Sequence, residues 1–202
     1  MKEIKGDYMI NKLGWKIGGE QGEGIESTAE IFSTVVNTLG YHMYSTRDFA
    51  SRIKGGHSNS KICISEEKIN VIDYKTDILI AFDQATLDSY IPELDENSII
   101  IADAKIKPEI SEEIKGLVAV FPITELAKEI ANPIIKNIIT LGICSSLLDI
   151  DSKLFYDMID SKFASKGEEI VNINIQAFDK GREIMTEFME ENSIKAVSYT
   201  HL

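Results

Sequence analysis

The chain has 202 residues, of which 44% are hydrophobic and 8% aromatic, enough to bury the core of one globular domain, alone or with a helical extension. Its 33 acidic and 21 basic residues give a net charge of −12, which argues against binding nucleic acid or an anionic membrane surface, because those surfaces attract clustered Lys and Arg. The sequence contains no apolar run of membrane-spanning length, and its first residues lack the apolar core of a signal peptide. We therefore predict a cytoplasmic protein.

The first part of the chain predicts a strand, a turn and a helix. The apolar run at residues 15–18 predicts a strand, and the spacing of apolar residues at 25–39 predicts an amphipathic helix that ends at Gly40. A second strand is predicted at residues 41–45, followed by a loop over residues 47–57, where no periodicity is visible.

The middle of the chain predicts further strands. Residues 61–65 alternate in polarity and are predicted to form a hairpin with a strand at residues 69–72, which would make the sheet mixed. Apolar, β-branched-rich runs at residues 78–82, 99–102 and 117–121 are typical of strands covered on both faces. The pattern predicts an α/β fold, a three-layer α/β/α Rossmann-like domain with a mostly parallel, mixed sheet and a helical C-terminal portion.

In the last third, Asn132 before Pro133 is a typical helix start, and the apolar stretch at residues 134–148 predicts a buried helix. Further helices are predicted at residues 152–163 and within residues 168–188. We assign residues 1–190 to one domain and 191–202 to a tail. Residues 197–202 look like the in-frame translation of an adaptor used in DNA library construction, and we expect that they are not native; an ordinary frayed terminus is the alternative.

Cys63 and Cys144 have no neighbouring cysteine, so we predict small buried residues rather than ligands of zinc or an iron–sulfur cluster.

A glycine-rich segment with glycines at positions 18, 19, 22 and 24 joins the first predicted strand to the first helix. Such a turn lets backbone N–H groups approach a ligand closely at the positive end of the helix dipole, which favours an anion. The spacing matches neither the dinucleotide fingerprint nor the P-loop. A tight turn without any ligand is the alternative.

The following loop is basic in an otherwise acidic chain. It contains Arg47, Arg52 and Lys54 beside Gly55, and ends at His57. Guanidinium and ammonium groups suit the recognition of phosphate or carboxylate. The alternative is a solvated loop whose arginines pair with nearby carboxylates. His57 by itself indicates a loop or core histidine rather than a catalyst, because no plausible constellation with a Ser or Cys nucleophile surrounds it.

Polar residues also follow two of the apolar strands. Asp83 and Gln84 come directly after the run at residues 78–82, and ligands of open α/β sheets bind at the carboxyl ends of strands. Gln84 could therefore contact the same ligand as the glycine turn. Asp83 could equally cap the next helix, and Asp103 has the same two interpretations after the following strand.

These segments, in this order and together with Asn132-Pro133, resemble the gamma domain of 2-oxoacid:ferredoxin oxidoreductases. More closely, the chain is similar to the N-terminal part of a fused alpha subunit of the 2-oxoglutarate or broad 2-oxoacid type. The resemblance covers roughly residues 10–190.

The resemblance implies an enzyme that decarboxylates a 2-oxoacid on thiamine diphosphate with magnesium, passes electrons through iron–sulfur clusters to ferredoxin, and forms an acyl-coenzyme A. It implies a hetero-oligomer with a separate thiamine diphosphate-binding beta subunit. The gamma domain would contribute no catalytic or metal-binding residue, so this part alone would be inactive. Two alternatives remain, a stand-alone nucleotide- or anion-binding module and a structural domain that docks partner subunits. The candidate coenzyme A contacts are Gly19, Gln21, Gly22, Gly24, Arg52, Lys54, Gly55 and Gln84.

Overall fold

The structure is a computed structural model of the chain and describes residues 12–49, 56–69 and 75–195. Contacts between these residues divide them into two compact units, the first ending at Pro122 and the second beginning at Ile123. The first unit contains the β-sheet, and the second is built from helices.

The first unit is organised around one mixed sheet of six strands. The strands are β1 (Lys12–Glu20), β2 (His42–Phe49), β3 (His57–Ser65), β4 (Ile78–Ala81), β5 (Ile99–Asp103) and β6 (Leu117–Phe121), in the spatial order β2-β3-β1-β4-β5-β6. β1, β4, β5 and β6 are parallel neighbours, whereas β3 is antiparallel to both β1 and β2. The predicted α/β class with a mostly parallel, mixed sheet is therefore confirmed.

The antiparallel part of the sheet differs from the sequence-based prediction. β3 pairs with β1 and β2 rather than with a strand at residues 69–72, most of which lies outside the described residues. The predicted loop at residues 47–57 is also wrong at both ends, because residues 47–49 belong to β2 and His57 begins β3. These segments are rich in polar residues, and they form strands because β3 pairs with the central β1 and β2 pairs with β3.

Two helices cover the sheet, α1 (Ile25–Thr38) and α2 (Gln84–Tyr90). Alternating residues of β1 separate the two faces. Trp15 faces α1 and stacks on Phe32, with ring centroids 4.6 Å apart. The next residue, Lys16, faces the other way, and its Nζ lies 3.6 Å from the centroid of the Tyr90 ring at the end of α2.

An apolar cluster holds α2 against the parallel half of the sheet. Leu87 of α2 packs with Leu79, Ala81 and Ile100, and all four side chains are buried. Full burial of a Leu or Ile side chain stabilises a fold by about 1.5–3 kcal/mol, so this cluster anchors the short helix. Because α2 begins directly after β4, the cluster also sets the position of the residues between them.

The second unit contains α3 (Ile123–Ile130), α4 (Lys136–Leu147), α5 (Ser152–Phe163) and α6 (Glu168–Glu191). α5 has the predicted bounds, α6 continues past the predicted end, and α3 was not predicted. The Asn132 side chain accepts a hydrogen bond from the Ile134 N–H at 3.0 Å and caps a short 3₁₀ turn that leads into α4. The predicted helix start is thus confirmed.

In the second unit, α4 and α6 pack closely against each other. A Cβ atom at Gly142 would press into the backbone carbonyl of Phe178, and one at Gly181 into that of Ile139. Glycine is therefore required at both positions for the two helices to approach this closely.

Cys63 and Cys144 are buried, as predicted. Among the described residues, no helix is both long and apolar enough to cross a membrane.

Candidate functional site

The turn between β1 and α1 has the backbone conformation that its glycines suggested. Gly22 has a φ of 94° and Gly24 a φ of 82°, both in the left-handed region that other residues adopt only with strain. A Cβ at Gly22 would meet no atom within 4 Å. The backbone conformation, not crowding, therefore requires glycine here.

Part of the hydrogen-bonding capacity of the turn is used within the protein. The Gln21 N–H donates to Gly56 O at 3.0 Å, the Glu23 N–H donates to Glu20 O at 3.2 Å, and the Glu20 N–H donates to the Glu23 Oε2 at 3.0 Å. The carboxylate of Glu23 thereby closes the turn on itself. Of the predicted donors, the backbone N–H of Gln21 is thus already used within the protein.

Other donors of the turn stay open. Within the part of the chain that the structure describes, the N–H groups of Gly22 and Gly24 form no hydrogen bond, and Gly22 is exposed. The first N–H groups of α1 follow directly, and a helix of 14 residues adds the positive end of its dipole at the same place. Gly19 lies in β1 opposite Ser58, just before the turn. The turn can therefore offer backbone donors to an anion.

The basic loop is described only at its two ends. Arg52, Lys54 and Gly55 lie outside the described residues, so their predicted roles stay predictions. The backbone carbonyl of Gly56, at the end of the loop, accepts the hydrogen bond from Gln21. This contact brings the end of the loop against the glycine turn.

Arg47 follows the alternative interpretation of the basic segment. It lies on β2, and its guanidinium pairs with the carboxylate of Glu26 in the first turn of α1. Both side chains are exposed, so the pair contributes little to stability. It does neutralise an acidic group that would otherwise repel an anion at the start of the helix.

Asp83 caps α2, which is one of the two roles that the sequence suggested for it. Its Oδ1 accepts hydrogen bonds from the Thr86 N–H at 2.8 Å and from the Thr86 hydroxyl at 2.6 Å. Its Oδ2 lies 3.2 Å from the Nδ1 of His57. Asp103 has a similar role after β5, because its carboxylate accepts from the Lys105 N–H at 3.1 Å.

The side chain of Gln84 is held by neighbouring residues. Its Oε1 accepts from the Glu109 N–H at 3.0 Å, and its Nε2 donates to Glu109 O at 3.0 Å and to the Asp88 carboxylate at 2.8 Å. A ligand acceptor would have to replace one of the two Nε2 hydrogen bonds, whereas Oε1 has a second lone pair that a ligand donor could use. A role of Gln84 as a donor thus carries a cost that the sequence did not reveal.

A buried polar cluster under α2 was missed at the sequence level. The Glu93 carboxylate accepts hydrogen bonds from Lys16 Nζ at 2.6 Å, Lys61 Nζ at 3.0 Å and the Thr76 hydroxyl at 2.7 Å. The two lysine side chains are only 5% and 7% exposed. Lys16, between apolar neighbours in the first predicted strand, was the sequence feature that could have indicated this cluster. A buried lysine needs a carboxylate partner.

Burial and pairing shift the pKa values of this cluster. Burial lowers the pKa of Lys16, although Glu93 acts in the opposite direction. Burial also raises the pKa of Glu93, but hydrogen bonds from Lys16, Thr76 and Lys61 outweigh it and hold that pKa below its usual value. For Tyr90, burial and the nearby negative charges of Asp48 and Glu93 raise the pKa to about 12. Tyr90 therefore stays neutral across the physiological range.

Comparison with known protein families gives a match over most of the chain. The family described as "Pyruvate ferredoxin/flavodoxin oxidoreductase" matches residues 14–184. The alpha subunit of a 2-oxoacid:ferredoxin oxidoreductase from Sulfolobus sp is 30% identical over 193 residues, covering 75% of this chain and 30% of that protein. The 2-oxoglutarate synthase subunit KorC from Methanocaldococcus jannaschii is 30% identical over 145 residues, covering 70% of this chain and 76% of that protein. The chain thus spans about 30% of the length of the Sulfolobus relative.

Solved structures share the fold. The 2-oxoglutarate:ferredoxin oxidoreductase from Magnetococcus marinus, with 2-oxoglutarate, coenzyme A and succinyl-CoA bound, gives a TM-score of 0.82 at 24% identity, over 96% of this chain and 33% of that chain. The gamma subunit of a keto/oxoacid ferredoxin oxidoreductase from Geobacter sulfurreducens gives a TM-score of 0.73 at 21% identity, over 87% and 99% of the two chains. At these identities the likeness establishes the α/β fold.

Proposed function

Because this chain belongs to the pyruvate ferredoxin/flavodoxin oxidoreductase family, we propose that it is the gamma-type domain of a 2-oxoacid:ferredoxin oxidoreductase. Such an enzyme converts a 2-oxoacid to an acyl-coenzyme A and carbon dioxide and passes the electrons to ferredoxin. The names of two relatives, one from Methanocaldococcus jannaschii and one from Magnetococcus marinus, favour 2-oxoglutarate as the substrate. The chain itself helps to bind coenzyme A and to assemble the subunits.

The observation that carries the coenzyme A proposal is the open glycine turn at the start of α1. Coenzyme A carries a diphosphate and a 3′-phosphate, and the N–H groups of Gly22 and Gly24 are donors of the kind that bind phosphate oxygens. The hydrogen bond between Gln21 and Gly56 supports a shared site, because it joins the turn to the end of the basic loop. Arg52 and Lys54 would add charge-assisted contacts from that loop.

The redox chemistry belongs to other parts of the complex. An iron–sulfur cluster is held by four cysteine thiolates, and this chain has two cysteines, both buried. No group of three or more His, Cys, Asp and Glu side chains that could hold a metal ion is found among the described residues. As the family resemblance implies, we assign thiamine diphosphate to the beta subunit of the complex and the iron–sulfur clusters to parts outside this chain.

Calorimetric titration of the chain with coenzyme A tests this proposal. Gly22→Val should weaken binding by about tenfold or more, a loss of about 1.4 kcal/mol, because a side chain there blocks the approach of a phosphate and strains the turn. Gly40→Val is the matched control, since Gly40 also has a positive φ of 89° and no atom within 4 Å of its Cβ position. Equal effects of the two substitutions on coenzyme A affinity would contradict a binding site at the glycine turn. A wild-type chain that docks partner subunits without binding coenzyme A would favour the alternative of a structural docking domain.

A further inference from the structure

His57 lies where three segments of the first unit meet. As the first residue of β3 it pairs with Glu20, the last residue of β1. The preceding carbonyl, Gly56 O, accepts the hydrogen bond from Gln21 in the glycine turn. Its imidazole contacts Asp83, which caps α2. One residue thus connects the glycine turn to the beginning of α2.

The two ring nitrogens of His57 have different surroundings. Nδ1 lies 3.2 Å from the Asp83 carboxylate, which when ionised can only accept, so Nδ1 is the donor. Nε2 is buried and has no hydrogen-bond partner among the described residues. The His57 and Asp83 side chains are only 24% and 18% exposed, so their hydrogen bond is partly shielded from water.

The same imidazole packs against β1 just before the turn. A Cβ atom added to Gly18 would lie 3.2 Å from the His57 Cε1 and 2.6 Å from the Thr86 hydroxyl oxygen. No side chain separates His57 and Thr86 from the β1 backbone at this point. The imidazole therefore lies close to the end of β1 as well as to the start of α2.

We propose that His57 is a positioning residue, which holds the glycine turn and the N-terminus of α2 in their relative places through its Nδ1–Asp83 hydrogen bond. This inference rests on the proposed function only where it concerns the ligand. The turn presents backbone donors to an anion, and these donors bind well only when their directions are held. His57 does not itself touch the ligand.

Two amide substitutions distinguish the contribution of the Nδ1 of His57 from that of its Nε2. Asn places its N–H donor near the position of Nδ1, whereas Gln places it near the position of Nε2. His57→Asn therefore keeps the hydrogen bond to Asp83, and His57→Gln loses it at similar polarity and size. His57→Leu removes both ring nitrogens. His42→Leu, at an exposed position of β2, is the control for the loss of a histidine.

Hydrogen exchange of individual amides, followed by NMR on this chain, tests the proposal without any ligand. We expect the Gln21 and Thr86 amides to exchange about tenfold faster in His57→Gln and His57→Leu and at the wild-type rate in His57→Asn and His42→Leu. Fast exchange in His57→Asn, wild-type exchange in His57→Gln, or unchanged rates in all variants would each overturn the proposal. A role in filling space alone predicts faster exchange in His57→Asn than in His57→Gln, because Asn is the smaller side chain.

The affinity for coenzyme A distinguishes this inference from the proposed function. We expect the affinity of His57→Gln to fall about tenfold at temperatures far below its melting point, and that of His57→Asn to stay within about twofold of wild type. If the wild-type chain does not bind coenzyme A, the proposed function fails. The amide exchange rates still test the positioning role of His57 in that case. If the chain binds and both variants bind equally well, the positioning role is refuted.

Discussion

Replacing Glu93 by Gln tests whether the buried polar cluster holds the first unit together. Both Lys16 and Lys61 donate to the Glu93 carboxylate, and the two lysine side chains are almost fully buried. Gln keeps the size of the side chain and one acceptor oxygen but removes the negative charge. The two ammonium groups then lose the negative charge that they share, in a poorly hydrated place.

The expected loss in the free energy of unfolding follows from the three hydrogen bonds that Glu93 accepts. Breaking a buried ion pair by removing one partner costs about 3–5 kcal/mol. Glu93 is 21% exposed and Gln retains part of the hydrogen bonding, so we expect the lower end of this range, about 3 kcal/mol. For a chain of this size the melting temperature should fall by about 6–12 °C, since 1 kcal/mol corresponds to about 2–4 °C.

Urea unfolding followed by circular dichroism measures the loss. The matched control is Glu183→Gln, which breaks the exposed Lys180–Glu183 pair of 2.8 Å on α6 and should cost less than about 0.5 kcal/mol. A loss below about 1 kcal/mol for Glu93→Gln would refute the reasoning, because removing one partner of a buried ion pair is expected to cost several times that.

The pH dependence gives a second check on the same residue. The pKa of Glu93 in the folded protein lies below its usual value of 4.5, so its ionised form stabilises the fold. This contribution is fully present above the unfolded value and is lost as the pH falls through the lower, folded pKa. The stabilities of wild type and Glu93→Gln should therefore differ most near neutral pH and converge in acid. A difference that stays constant down to pH values well below 4.5 would contradict this account.

Two further predictions concern packing and the basic loop. Gly181→Ala should destabilise the second unit by about 1–3 kcal/mol in urea unfolding, because its Cβ would press into the Ile139 carbonyl, and unchanged stability would show that the α4–α6 contact can relax. Arg52→Glu in the assembled enzyme should raise the KM for coenzyme A by an amount equivalent to about 1.5–3 kcal/mol, while decarboxylation without coenzyme A changes little. Weaker subunit assembly at unchanged KM would instead favour docking as the role of this loop.

Local signals in the sequence determined much of the fold. Apolar periodicity predicted α1 and α5 almost to the residue, because an amphipathic helix repeats its pattern within the segment itself. The glycines at positions 22 and 24 predicted the tight turn, since few other residues tolerate its left-handed backbone. The order of these motifs along the chain was enough to identify the family.

Only the tertiary structure decided the surroundings of the polar residues. β3 reads as a polar segment, yet Asn59 and Lys61 are buried because β3 lies between β1 and β2 and faces α2. The partner of Lys61 is Glu93, which is separated from it by more than thirty residues whose spacing carries no pairing signal. The contacts of Gln84 with Glu109 and of His57 with Asp83 likewise join residues far apart in sequence. Burial makes such polar pairs necessary, but which residues meet depends on strand order and register, and no short stretch of sequence contains that information.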